Sequence, residues 1–154
     1  MLPDDVFRSR LQSTITALRY WAPSVADAAR LEEEETSDYW KIVVTPAVAT
    51  ACPFELILHA DQRYDLAIAD ETYEGRPIES FDWFVPFAGA VSEGNVVQRR
   101  WLSRLTGLER SVETLVTLPG GSIWREGRGE MPRMPTLDDD GTELRERRFL
   151  PYRR

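Results

Sequence analysis

The sequence predicts an α+β protein in which an amphipathic N-terminal helix and an aromatic-rich second helix cover an antiparallel sheet of about six strands. Three observations indicate this class: a helical apolar repeat between Pro3 and Ala22, alternating apolar runs between Phe54 and Glu74, and further alternating runs after Val96. Runs of strands combined with segregated helices are typical of α+β folds. We expect a single domain over residues 1–126, followed by an extended or partly disordered charged tail over 127–154.

The composition favours a cytoplasmic protein. Cys52 is the only cysteine, so no intrachain disulfide can form and a reducing compartment is expected. Asp4 and Asp5 stand where a secretory signal carries basic residues, and no run is long and apolar enough to span a bilayer. We therefore expect no membrane partner.

The charges are distributed unevenly along the chain. Of the formal net charge of −7, residues 1–95 contribute 7 basic and 17 acidic side chains, and residues 96–154 contribute 12 basic and 9 acidic ones. The two parts should attract each other, either within one molecule or between subunits. A net acidic domain generally repels nucleic acid, so we expect no nucleic-acid partner.

The first third of the chain predicts a helix and a strand. Phe7, Leu11, Ile15 and Leu18 recur every three or four residues, as on one face of an amphipathic helix. The β-branched and aromatic run 39–45 predicts a strand. Between them, residues 24–36 fit either a short helix or an acidic edge strand, and the sequence does not decide between the two.

The run from Phe54 to Glu74 predicts a β-hairpin with its turn at residues 61–63. Apolar residues alternate on one face of both strands, which suits a half-buried sheet. These apolar residues are Phe54, Leu56, Leu58, Tyr64, Leu66 and Ile68. Gly75, Arg76 and Pro77 are expected to interrupt the sheet after the hairpin.

A second helix is predicted between Ser80 as N-cap and Gly94 as the C-terminal stop, with Pro86 kinking or dividing it. The segment is apolar on nearly every side, so it must be enclosed by the core, by a ligand or by a second subunit. Burial in the core is the simplest interpretation, and a partner or ligand surface is the functional alternative. The residues assigned to that surface are Phe81, Trp83, Phe84, Phe87 and Val91.

The last third predicts a meander of three strands, over residues 96–105, 112–118 and 122–125. The tail that follows has few apolar anchors, although a short helix from Thr142 to Phe149 is possible within it.

The residues that could carry chemistry do not form a recognisable motif. His59 is the only histidine, and a polar position near a turn suits it better than a catalytic dyad with Cys52. Arginines at 99, 100 and 104 flank Trp101 and could bind an anion or stack on a base, but an arginine-bearing strand in an acidic protein is more often the exposed side of a sheet. We find no pattern typical of a metal or cofactor site.

These observations lead to two functional hypotheses. The first is a non-enzymatic interaction or chaperone-like protein that forms a homodimer. Its element order and acidic balance resemble those of the small export chaperones of type III secretion, although the extra strand near Ile123 and the arginine-rich tail depart from that pattern.

The second hypothesis is a small-molecule-binding protein or an enzyme, with an apolar cavity between a curved sheet and the helices. A small apolar ligand would then be the partner. The polar residues expected to line this cavity are His59, Tyr64, Asp65 and Tyr73.

Overall fold

The computed structural model describes residues 1–129 and 141–153, and it confirms the α+β class with antiparallel sheets. In this part of the chain, two α-helices accompany nine strands, which form one sheet of five strands and one of four. The elements are α1 (Asp4–Trp21), β1 (Ala29–Glu35), β2 (Tyr39–Pro46), β3 (Phe54–His59), β4 (Arg63–Ile68), β5 (Glu71–Pro77), α2 (Phe84–Ser92), β6 (Val96–Ser103), β7 (Glu109–Thr117), β8 (Ile123–Gly129) and β9 (Thr142–Arg148).

Helix α1 follows the predicted apolar repeat. Phe7, Ile15 and Leu18 are buried, and Asp4 and Asp5 occupy the first turn, where carboxylates interact favourably with the helix dipole. Neither this helix nor α2, in the part of the chain that the structure covers, has the length and apolar character needed to cross a bilayer.

The first sheet is a meander in the order β1-β2-β3-β4-β5, and the predicted hairpin forms its third and fourth strands. Leu56 pairs with Leu66, and Leu58 pairs with Tyr64. Because side chains alternate along a strand, these apolar residues share one face, which is buried beneath the two helices. The opposite face, which we call the outer face of the first sheet, carries the polar residues of the hairpin.

Two segments of this sheet differ from the simplest sequence expectation. Residues 29–35, for which the sequence leaves helix and strand open, form the edge strand β1. Gly75 and Pro77 were expected to interrupt the sheet, but they lie within strand β5. The sheet accommodates them because β5 is its other edge, where proline does not remove a ladder hydrogen bond, and Gly75 has a φ of 65° beside an irregular register.

Helix α2 begins at Phe84, four residues after the predicted N-cap. The hydroxyl oxygen of Ser80 instead accepts a hydrogen bond from the Asp82 amide in the preceding turn, at 3.2 Å. The predicted segment is divided near Asp82, where residues 81–83 form a turn. Pro86 lies in the first turn of α2, where the missing N–H has no intrahelical partner to lose.

The second sheet has the order β8-β7-β6-β9, so the tail contributes an edge strand. Residues 142–148 are a strand paired with β6 and do not form the short helix considered above. The residues after it pack onto the domain: Phe149 and Tyr152 are buried, and Leu150 bridges Ala51. The middle of the predicted tail, residues 130–140, lies outside the described residues.

Gly94 ends α2 as predicted, and its lack of a side chain also allows the C-terminal segment to pack closely against it. Its φ is 83°, and a Cβ atom here would lie 2.6 Å from the Pro151 nitrogen. We expect Gly94→Ala to lower the free energy of unfolding by about 2–3 kcal/mol, from backbone strain plus this clash. Gly120→Ala is the matched control because φ is 92° but nothing lies near the added atom. Urea unfolding measures the free energy of unfolding of both variants. Equal losses of stability would show that the close approach of the Pro151 backbone to Gly94 does not matter.

Candidate partner-binding surface

The aromatic residues assigned to a partner surface divide into buried and accessible ones. Phe84, Phe87 and Val91 are fully buried within the chain, so they belong to the core and a partner cannot reach them. Phe81 and Trp83 are half-buried in the turn before α2. The segment is apolar all round because the sheet covers one side of it and α1 covers another.

Trp83 lies in an aromatic cluster that joins α2 to both sheets. Its ring stacks on Trp124 of β8, with centroids 6.0 Å apart, and meets Tyr64 of β4 edge-on at 5.2 Å. Phe87 contacts the same Trp124 ring at 5.0 Å. Such pairs stabilise packing beyond the area that they bury. We therefore assign Trp83 a structural role in holding the sheets together.

The four polar residues expected to line one cavity lie on opposite faces of the first sheet. His59 and Asp65 are on the outer face, where His59 Nε2 and Asp65 Oδ2 lie 2.8 Å apart. The other oxygen of Asp65 accepts a hydrogen bond from the Gly75 amide. Tyr64 and Tyr73 are buried on the inner face. The strands thus bring His59 and Asp65 together, but they do not bring all four residues into one cavity.

Tyr73 helps to attach the two sheets to each other. Its hydroxyl lies 3.0 Å from the Thr114 hydroxyl of β7 and shares a hydrogen bond with it. Burial raises the pKa of Tyr73 and of Tyr64 above the usual value, so both phenols are neutral over the physiological range.

Cys52 is buried and unsuited to nucleophilic chemistry. Desolvation raises the pKa of its thiol to about 12, so the thiolate is scarcely populated at neutral pH. Its sulfur contacts the Pro53 carbonyl oxygen at 3.5 Å, whereas His59 is bonded to Asp65. The two residues therefore have separate partners.

Five charged side chains form an ion network between β5 and the second sheet. Arg128 binds both carboxylate oxygens of the buried Glu71, with nitrogen–oxygen distances of 2.9 to 3.2 Å. Arg100 binds Asp70 and Glu109, each at 2.5 Å, and Arg128 also contacts Glu109. Each of the three carboxylates is therefore paired with arginine, an arrangement that joins the two sheets.

Electrostatics in this network favours the charged forms. Burial alone would raise the pKa of Glu109, but hydrogen bonds from Arg100 and Arg128 outweigh it and hold that pKa below its usual value. The described residues contain no group of histidine, cysteine and carboxylate side chains arranged to hold a metal ion. Near the hairpin, Asp65 is thus paired with His59, and Asp70 and Glu71 are paired with arginines.

The second sheet has an outer face that is accessible only in part, because the strand register also places the buried Ser111 and Leu115 on it. It is the side of the sheet opposite the buried Gln98 and Thr114. Register partners on neighbouring strands lie on the same side of a sheet, so the register identifies the residues of this face. The accessible residues of the outer face of the second sheet include Val97, Arg99, Trp101, Glu113, Ile123, Arg125, Leu144, Glu146 and Arg148.

Trp101 and Leu144 are two adjacent apolar residues of this face. They are register partners on β6 and β9, so their side chains are direct neighbours. Trp101 is half-buried, and Leu144 is 51% exposed. Tryptophan is enriched at the energetically important positions of protein interfaces.

A leucine-bearing turn, residues 104–108, extends from the same sheet between β6 and β7. Leu105 is 94% exposed and Leu108 is 69% exposed. The turn is closed by the Ser103 amide, which donates to the Leu108 carbonyl at 2.8 Å. This turn leaves two leucines exposed to solvent, so it adds accessible apolar area next to the second sheet.

The sequence did not reveal this surface, although it drew attention to the arginines beside Trp101. Arg99 points outward and pairs with Glu146 at 3.2 Å, whereas Arg100 points inward to the ion network. Leu144 was missed because β9 has a single apolar residue and no alternating pattern. The turn itself was predicted between the strands 96–105 and 112–118, but the exposure of Leu105 and Leu108 was not.

Comparison of this chain with models of known protein families, with curated proteins and with solved structures gave no match.

Proposed function

We propose that this protein is a non-enzymatic interaction module that forms a homodimer through the outer face of the second sheet and the adjoining leucine-bearing turn. The proposal rests on the exposed Leu144 beside Trp101 and on the exposed Leu105 and Leu108 in the turn between β6 and β7. Contiguous exposed apolar residues with polar neighbours are typical of protein interaction sites.

The charges on this face favour a second copy as the occupant. A twofold interface brings the same patch of two subunits together, so the patch must complement itself. The outer face carries Arg99, Arg125 and Arg148 together with Glu113 and Glu146. Because both signs are present on one patch, arginines of one subunit can meet glutamates of the other.

The sheet geometry also suits this arrangement. Two antiparallel sheets pack well face to face when side chains of both inner surfaces interdigitate. The face around Trp101 is one side of a four-stranded sheet whose other side already packs on the core. Association would thus bury the accessible residues of this side without rearranging the domain.

The test is the effect of Leu144→Asp on subunit number. The exposed position should tolerate aspartate in a monomer, whereas a charge buried at the interface destabilises a dimer strongly. We expect this variant to be a monomer by size-exclusion chromatography with light scattering. We also expect it to stay folded, with a melting temperature close to that of the dissociated wild-type chain.

Tyr20→Asp is the control, because Tyr20 is 89% exposed on α1 and lies on a different element. This variant should remain dimeric. A wild-type protein that is monomeric at about 100 μM, or a Leu144→Asp variant that stays dimeric, would refute the proposed interface.

A further inference from the structure

A cavity of about 460 Å³ lies where the ends of both helices meet the C-terminal segment. This volume falls within the range of small-molecule sites. Its walls are apolar at Trp21, Val25 and Tyr152, and polar at Ser92, Glu93 and Arg153. It is a different cavity from the one expected between the hairpin and the helices, because none of His59, Tyr64, Asp65 and Tyr73 lines it.

Gly89 contributes to the open space of this cavity. It lies inside helix α2 and lines the cavity, and a Cβ atom built on it would have no neighbour within 4 Å. Glycine destabilises a helix interior, and close packing commonly explains its presence there. Close packing does explain Gly94, which meets the C-terminal backbone. At Gly89 nothing fills the space, so the missing side chain keeps the cavity open.

The charges around the cavity favour a cation. The carboxyl end of α2 borders it and carries the negative end of the helix dipole. Glu93 is exposed there and makes no ion pair with the described residues, whereas Arg153 is compensated by Asp27 and by the Ser24 carbonyl oxygen. The face of the Trp21 indole can also attract a cation.

We propose that this cavity binds a small organic amine that is protonated at neutral pH and has an aromatic or branched apolar body. The ammonium group lies toward Glu93 and the carboxyl end of α2. The apolar body occupies the space beside Gly89, against Val25 and Trp21.

Three probes of similar size separate this proposal from general hydrophobic binding. We expect 2-phenylethylamine to bind more tightly than the neutral 2-phenylethanol, and phenylacetate to bind most weakly, by titration calorimetry with the full-length protein. Glu93→Gln should weaken binding of the amine about fivefold, the effect of one exposed ion pair, and leave binding of the alcohol unchanged. Equal affinities for the amine and the anion, or no binding of the amine at 10 mM as roughly the upper limit for a weak fragment, would overturn the proposal.

Gly89→Leu tests the location. The added side chain should fill the cavity, abolish amine binding and leave the circular dichroism spectrum unchanged. Gly89→Ala is the conservative control, which should raise the melting temperature and retain most of the binding. Unchanged affinity in Gly89→Leu would overturn the assignment to this cavity, and if that variant fails to fold, the response of the folded Glu93→Gln protein decides.

Discussion

Phe84→Asp is expected to unfold the protein rather than to release a soluble monomer. Phe84 is fully buried, and its ring lies 4.1 Å from the Trp83 ring and 5.7 Å from the Tyr64 ring, measured between centroids. Loss of a buried phenylalanine alone costs about 3–5 kcal/mol, and an unpaired buried carboxylate adds to this. The sum approaches the total stability of a typical domain, about 5–15 kcal/mol.

Near-ultraviolet circular dichroism and thermal melting measure this effect. Val85→Asp is the control on the next residue of the same helix. Val85 is half-buried, so the carboxylate of an aspartate at this position can reach solvent. The control should remain folded. A Phe84→Asp protein with native spectra and a wild-type melting temperature would show that α2 is not a core helix.

Glu71→Gln is expected to lower the free energy of unfolding by about 2–3 kcal/mol, because it leaves the arginines of the ion network without their buried partner. The Glu71 side chain is only 6% exposed and receives both hydrogen bonds of the Arg128 fork. We place the loss below the full cost of breaking a buried pair because Arg128 is half-exposed and retains Glu109.

Urea unfolding measures this difference, with Glu74→Gln as the control. Glu74 is on the same strand but is exposed, so its substitution should change stability by less than about 0.5 kcal/mol. Equal and small effects of the two substitutions would show that the ion network does not join the sheets.

The same network implies a direction for the pH dependence. The pKa of Glu109 is lower in the folded chain than its ordinary value of 4.5. A carboxylate with a depressed folded-state pKa stabilises the fold above its unfolded pKa, and this contribution is lost as the pH falls through the folded-state pKa. Stability should therefore decrease on acidification below about pH 4.5, and less steeply in Glu109→Gln.

The sequence predicts the elements whose side chains alternate or repeat clearly. Helix α1 and the β3–β4 hairpin follow directly from their apolar spacing, because a regular period reports which face is buried. Strands β5 and β9 carry no such period. β5 contains glycine and proline, and β9 has one apolar residue, Leu144, so their places at sheet edges depend on pairing with distant strands.

The candidate sites were harder to predict because they depend on contacts between distant residues. The aromatic run 81–91 suits a core and an interface equally well, and only the packing of α1 and the sheet decides in favour of burial. Glu71 and Arg128 are 57 residues apart in the chain. The pairing of His59 with Asp65 was accessible to sequence reasoning, since both lie on the same face of one predicted hairpin.

Sedimentation equilibrium of the wild-type protein is the simplest test of the proposed homodimer, because it reports the molar mass in solution without labels or mutations. The proposed homodimer predicts a mass of twice the 17.7 kDa chain at micromolar concentrations, falling toward the chain mass on dilution. A mass that remains at 17.7 kDa up to the highest soluble concentration would contradict the account.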